Sequence, residues 1–357
     1  MTFQNNTLPL RSTGLNTDDT AATWSWRPEA PVIDCQWHWY PAGACEALLS
    51  RRAHPLWRRH GDGYLFEPAP GEVWHFGPDY FDLDRQFEHM DEAGIDAVVV
   101  SPVIAGDVAA LQLNDAREVC LLFNEELARA QRQHPARIHG LAVVPVQDTA
   151  AAIDVLEDAV ARLGMSGLLL HSNVNQGSIA DQRMWPLYER VDDLGLPVFL
   201  HPTHTSPPQR VSDYALEQPL SYMFDTTVAA VSLIVGGVLD RFPHIRFVHP
   251  HLGATLPYLV DRIDVYRRLG RWDMERPARD YLGQFHTDTV SESPGGLRMA
   301  IETYGINRLL FSSDYPYFPP ADGVRFVADN LAPADAVQVF SGNASRLLGL
   351  TVPTPPA

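Results

Sequence analysis

The sequence predicts an α/β fold: one (β/α)8 barrel of the TIM type, with a cap segment inserted after its first strand. Two observations carry this reading. Eight short apolar runs alternate with helical periodicity along the 357 residues, and imidazole and carboxylate groups recur at the ends of those runs. Continuous apolar strands bounded by helices belong to a parallel sheet buried on both faces, and a count of eight favours closure over an open sheet. Polar groups at the C-terminal ends of such strands are where a barrel collects its functional side chains.

Val32–Cys35 is the first strand. Residues 42–80 then break the pattern with Arg51, Arg52, Arg58, Arg59, the turn Gly61-Asp62-Gly63, and the aromatics Trp57, Tyr64, Phe66, Trp74 and Phe76. An insertion of roughly 40 residues is too long for a plain strand-to-helix connection and reads as a lid or small subdomain. Its aromatics serve equally well as internal packing. Regular alternation begins with a helix over Leu83–Ala93 and a strand over Ile95–Val100. Helix and strand follow in pairs: Arg117–Gln131 with Ile138–Val144, Ala150–Leu163 with Gly167–His171, Met184–Leu194 with Pro197–His201, and Thr226–Leu239 with Ile245–His249. Gln284–Val290 and Arg308–Ser312 complete the eight. The domain division is an N-terminal arm over 1–30, the barrel over 31–349, and a frayed proline-bearing tail over 350–357.

The chain holds 27 basic and 44 acidic residues, a formal charge of −17 that repels nucleic-acid phosphates and anionic membrane surfaces. Small-molecule chemistry is therefore expected. All 27 basic residues are arginine, with no lysine anywhere, which excludes a lysine Schiff base, a Walker lysine and a carboxylated lysine bridging two metals. Cys35, Cys45 and Cys120 are widely spaced and form no Cys-x-x-Cys pair, so a reducing cytoplasm is expected. The first thirty residues lack the pattern of a signal peptide, and no run approaches the length of a membrane span.

The chemistry gathers at strand ends. Gln36 and His38 lie two apart and so share a face; the imidazole can bind a divalent metal through a ring nitrogen, the glutamine only through a neutral oxygen. His201 ends a buried strand, where an ionisable group needs a partner that a metal supplies. His171, at the end of another strand, and His204, beyond His201, are expected to line the pocket. Asp314 stands at the mouth of the last strand, where its charge offsets a dication and can accept a proton from metal-bound water. His249 and His251 share parity, one structural and the other reaching the reacting centre. Gly253 favours His251, because a glycine permits close approach of a ligand.

In order and spacing these residues resemble the amidohydrolase superfamily, in the branch containing aminocarboxymuconate semialdehyde decarboxylase. The resemblance covers residues 31–349. It includes Ile33-Asp34, the stretch His251-Leu252-Gly253-Ala254-Thr255-Leu256-Pro257-Tyr258, Asp288-Thr289, and Asn343-Ala344-Ser345-Arg346. It implies one divalent metal, zinc first with Mn2+ or Fe2+ as alternatives, held by a His-x-His pair, a later histidine and an aspartate. Carried over, Gln36 and His38 fill the pair, His201 and Asp314 the other positions, and His251 the activating role. Gln36 departs from the pattern, which would have histidine there. Glu67 departs too, since it stands near the place where the decarboxylase has a carboxylate-binding arginine, so that exact substrate is disfavoured. Arg51, Arg52 or Arg210 could replace the arginine.

The function expected is decarboxylation or hydrolysis of a small carboxylated compound, aromatic or muconate-like, with Arg51, Glu67 and His204 contacting the substrate and His251 and Asp314 handling protons. Gln36 and Glu67 motivate an alternative: a weakly catalytic or structural subunit of a hetero-oligomer, such as a metal-dependent hydroxylase. A homo-oligomer is the expected assembly, with a paralogous partner as the alternative.

Overall fold

The computed structural model describes residues 30–67, 73–102, 108–203 and 216–350; His204, Arg210 and most of the arm and tail lie outside the described residues. Eight parallel strands run in chain order: β1 (Ile33–His38), β2 (Ala97–Ser101), β3 (Ile138–Ala142), β4 (Gly167–His171), β5 (Pro197–His201), β6 (Arg246–His249), β7 (Phe285–Asp288) and β8 (Leu309–Leu310). Each pairs with its predecessor, which gives the order β1 through β8 with helices on the outside. Phe247, Phe285, Phe311 and Phe340 are among the largest side chains buried between the layers. No helix among the described residues is long and apolar enough to cross a membrane.

The first and last strands join to close the barrel. Cys35 N–H donates to the Phe311 carbonyl at 2.9 Å, Asp314 N–H to Gln36 at 3.0 Å and His38 N–H to Tyr315 at 2.9 Å. Asp34 strengthens the seam. Its fully buried carboxylate accepts the Gln36 N–H at 3.0 Å and the Ser313 N–H at 3.2 and 3.1 Å. Trp37 stacks on Tyr315 with ring centroids 4.0 Å apart.

Boundaries differ from expectation where local chemistry intervenes. β1 continues through His38, so Gln36 and His38 belong to the strand itself. β8 is only two residues long, because Asp314 takes φ 62° and turns the chain out of extended geometry soon after. The helix expected over Thr226–Leu239 is Tyr222–Val235, stopped at Gly236-Gly237, with Gly237 at φ 77°; a second turn, Val238–Arg241, follows.

Residues 42–80 form a helix over Ala42–Leu48 and a three-stranded antiparallel sheet of Leu56–His60, Gly63–Glu67 and Trp74–Phe76. Trp57, Tyr64, Phe66 and Phe76 are buried, and Trp57 stacks on Phe76 at 5.4 Å. These aromatics are the segment's own core.

Burial raises the Asp34 carboxyl to about 7, more than its hydrogen bonds lower it. The native state therefore holds a proton that the unfolded chain releases above its ordinary carboxylate range, so this group's contribution is present at low pH and lost as pH rises through about 7. Asp34→Asn keeps an acceptor oxygen and cannot ionise. It should melt like the wild type below about pH 4, gain on it as pH rises from there to about 7, and exceed it at about pH 8 by as much as ~4 kcal/mol. Asp34→Ala leaves two N–H groups without acceptors and should cost ~2–4 kcal/mol at either pH. Melting curves at both pH values test the pair.

Candidate active site

β1, β5 and the seam after β8 bring three side chains together at the C-terminal end of the barrel. His38, His201 and Asp314 are all buried, and one potential ligand atom from each lies within 4.8 Å of the others. Their second ring positions are already engaged. His38 Nδ1 lies 3.2 Å from both the carbonyl and the Oγ of Ser101, which leaves Nε2 facing Asp314 Oδ1 at 2.8 Å. His201 Nδ1 lies 2.7 Å from the Pro202 carbonyl, which leaves its Nε2 free. A backbone carbonyl on one ring nitrogen fixes the tautomer that offers the other to a metal.

Electrostatics suits a cation. Burial lowers the His201 pKa well below its ordinary value, and the neighbouring His38 and His171 add to the effect, so a lone pair is available at neutral pH. Burial also opposes ionisation of Asp314, but the close approach of His251 and His38 outweighs it and holds the carboxyl below the usual range. Two imidazoles and one carboxylate are a donor set that fits a divalent ion.

Gln36 occupies a different role from that of a ligand: its Nε2 donates to Asp314 Oδ1 at 2.8 Å. The side chain turns its nitrogen, which cannot ligate, toward the carboxylate. His38 is also secured from the outside. Gln86, fully buried, donates to the His38 carbonyl at 3.1 Å and to Asp79 at 2.7 Å, and accepts from Trp37 Nε1 at 2.8 Å.

His251 reaches the cluster from a turn, and strand parity with His249 has no bearing on it. His251, Leu252, Gly253 and Ala254 all have positive φ, at 59°, 57°, 76° and 48°. Asp288 Oδ1 holds this run, accepting the N–H groups of His251 at 2.7 Å, Leu252 at 3.3 Å and Val290 at 3.2 Å. His251 Nε2 then faces Asp314 Oδ2 at 3.7 Å. Burial works against a charge on this imidazole, but the negative field of Asp314, with that of Asp288, outweighs it and raises its pKa. His249 stays in the core, where burial pushes it down to about 3. Gly253 serves packing and not ligand approach: a Cβ there would lie 2.4 Å from Tyr304 Oη.

His171 lies beside His201, with ring centroids 5.6 Å apart. Tyr317 meets His38 at 5.8 Å and Tyr80 at 5.7 Å, so aromatic rings stand beside the cluster. Arg51 and Glu67 are held within or beside the inserted segment. Arg51 donates to the Pro55 carbonyl at 3.0 Å and pairs with Asp115 at 3.3 Å, while Glu67 pairs with His54 at 3.3 Å and Arg58 at 3.7 Å. The structure does not bring either into the cluster, and Arg52 is exposed. Sequence reasoning missed Ser101, Gln86 and the part played by Asp288. Gln86 was findable, since it shares the buried helical stripe of Met90 and Ala93.

A family model described as Amidohydrolase matches residues 33–350. The chain belongs to the amidohydrolase family. Among curated relatives of this amidohydrolase, the 2-amino-3-carboxymuconate-6-semialdehyde decarboxylase of Dictyostelium discoideum is 26% identical over 81% of this chain and 80% of its own length. The gamma-resorcylate decarboxylase of Polaromonas sp. is 29% identical over 75% and 87%, and the 6-methylsalicylic acid decarboxylase of Penicillium expansum 26% over 88% and 95%. The 5-carboxyvanillate decarboxylase of Sphingomonas paucimobilis shares the fold at a TM-score of 0.80, with 24% identity over 90% of this chain and 100% of that one. A dihydroxybenzoic acid decarboxylase from Polaromonas sp., solved with bound manganese and 2-nitroresorcinol, shares it at 0.75, with 24% identity over 90% and 97%.

Two glycines separate turn strain from packing. Gly195, at φ 64°, has nothing within 4 Å of an added Cβ. Gly195→Ala should therefore cost only ~1–2 kcal/mol. Gly253→Ala adds the clash with Tyr304 and should cost ~2–5 kcal/mol. Thermal denaturation of both variants measures the difference.

Proposed function

We propose that this amidohydrolase is a metal-dependent decarboxylase of a small aromatic carboxylate bearing a hydroxyl group beside the carboxyl. The observation that carries the reading is the buried set of His38, His201 and Asp314 with His251 facing it. The decarboxylases among its relatives, which include enzymes named for resorcylate and methylsalicylate, support decarboxylation over hydrolysis. The aromatic edge of Tyr317 and Tyr80 supports a ring-bearing substrate. A complete ligand set without Gln36 disfavours the subunit role.

His38, His201 and Asp314 would hold the metal, which would supply a Lewis acid for the negatively charged substrate. His251 delivers a proton to the ring carbon that carries the carboxylate. The bond between that carbon and the carboxyl group then breaks, CO2 leaves, and the electron pair restores the aromatic ring. Asp314 favours the protonated form of His251 and faces its Nε2, while Gln36 holds the other carboxylate oxygen. Zinc and manganese both suit two imidazoles and a carboxylate. Manganese gains support from the fold neighbour solved with it. A reducing compartment such as the cytoplasm fits three free, buried thiols.

The test is CO2 release from a panel of ortho-hydroxybenzoates by metal-loaded protein. His201→Ala should lose stoichiometric metal and activity together. His251→Ala should keep the metal and lose ~10²–10⁴ in turnover. Absence of CO2 release across the panel, or metal retained in full by His201→Ala, would refute the assignment.

The assembly proposed is a homodimer. Phe224 and Val228 on the helix Tyr222–Val235, and Tyr258, Val265 and Tyr266 on the helix Leu256–Arg268 with Leu269 just past its end, are exposed. The Thr227 and Thr255 hydroxyls, 2.8 Å apart, join the two helices. Six large apolar or aromatic side chains exposed on two joined helices mark a face of the kind that a second copy covers. Light scattering should give twice the chain mass for the wild type and the chain mass for Val228→Arg/Tyr258→Glu; a monomeric wild type at micromolar concentration excludes the dimer.

A further inference from the structure

The opposite end of the barrel holds a second polar cluster, with the reverse charge. Strand register defines it. Val248 and Asp288 line the barrel interior together with Leu141. Side chains two apart share a face, so Arg246, two before Val248, points inward one layer nearer the N-terminal mouth. His286, two before Asp288 and directly opposite Val248, points inward beside it. His139, two before Leu141, does the same from β3. Arg308 immediately precedes β8, and Arg346 lies on the closing helix Asn343–Leu348.

Among the described residues these groups find only neutral partners. Arg246 donates to the carbonyls of Pro243, His244 and Ile245, Arg308 to that of Tyr304, and Arg346 to the Asn343 side-chain oxygen. All those acceptors are neutral, and none of the three arginines pairs with a carboxylate among the described residues. Arginines elsewhere do pair, as Arg162 does with Glu125 and Asp158. His139 Nε2 and His286 Nδ1 are buried nitrogens without a hydrogen-bond partner. Thr287 pairs with Leu309, so Arg308 stands opposite His286 across the β7–β8 ladder. Arg346 is tied to the same strand through Asn343, whose amide donates to the Leu309 carbonyl at 2.6 Å. Burial first, then the positive fields of Arg308, Arg246 and Arg346, push His286 down to about 4.

The two buried imidazole nitrogens are costly without a partner, and the half-buried Arg246 and Arg308 beside them have further N–H groups to offer an anion. We propose that the N-terminal mouth of the barrel binds a phosphate-type oxyanion between Arg246, Arg308 and His286, with Arg346 at its rim. Guanidinium forks match the tetrahedral oxygens, and a neutral imidazole N–H completes the cage. A bound oxyanion would link the starts of β6, β7 and β8. The far ends of those strands carry the His251 turn, Asp288 and Asp314, so occupancy should stiffen the scaffold of the active site without touching it.

Titration calorimetry of the full chain with inorganic phosphate, at constant ionic strength and with metal removed by chelation so that phosphate cannot bind there, tests the proposal. One saturable site is expected, with a thermal midpoint several degrees higher at saturation, and with sulfate competing. A nucleoside monophosphate run in parallel separates a phosphoryl group on a metabolite from free phosphate as the tighter ligand. Arg246→Gln and Arg308→Gln should each weaken binding at least tenfold. Arg346→Gln, at an exposed position that folding tolerates, should weaken it severalfold. CO2 release should persist in all three variants. The same thermal shift with chloride, unchanged affinity in Arg346→Gln and Arg308→Gln alike, or no saturable binding because acidic groups of the chain itself fill the mouth, would each overturn it.

Discussion

The seam between β8 and β1 is the constraint on which the site depends. Parallel closure requires the backbone after Phe311 to accept and donate along β1, and the Asp314 N–H does so to Gln36 at 3.0 Å. That bond places the Asp314 side chain beside those of Gln36 and His38, whose own direction comes from the strand. Asp34 secures the same junction from below, and Gln86 secures His38 from outside. Each of these partners is buried, so a loss at the seam would displace the carboxylate and the imidazole together.

A division of labour among carboxylates follows. Asp34 and Asp288 accept backbone N–H groups, and burial raises both to about 7. Asp314 accepts from side chains and stays ionised. Three acids within one end of the barrel thus differ in state because their surroundings differ, which is how a site confines its negative charge to the atom that faces a metal.

The sequence was legible where period and residue type speak directly. Apolar runs of strand length marked all eight strands, and His38, His201 and Asp314 announced themselves as ionisable groups at the ends of buried segments. What was hidden belongs to backbone geometry and to pairing across long separations. Nothing local to His251 announces that four successive residues take positive φ, since three of them carry side chains that disfavour it. The reason for Gly253 lies at Tyr304, on another helix. Gln36 looked like a weakened ligand because its partner, Asp314, is nearly three hundred residues away; once they are adjacent, its amide is a donor that steadies the carboxylate. Arg51 and Glu67 were placed near substrate by resemblance, while the local sheet of the inserted segment supplied each with nearer partners.

The two groups that meet at 2.8 Å, His38 and Asp314, stand 276 positions apart, one on the first strand and the other just beyond the last. During synthesis the imidazoles of β1 and β5 leave the ribosome long before the carboxylate does. A nascent chain can therefore offer only a two-nitrogen foothold to a passing ion, and full affinity arrives with the final turn of the barrel. A metal held as proposed by these three groups would then meet its full ligand set only once closure is complete, so that its binding would favour the finished barrel over any partly folded chain.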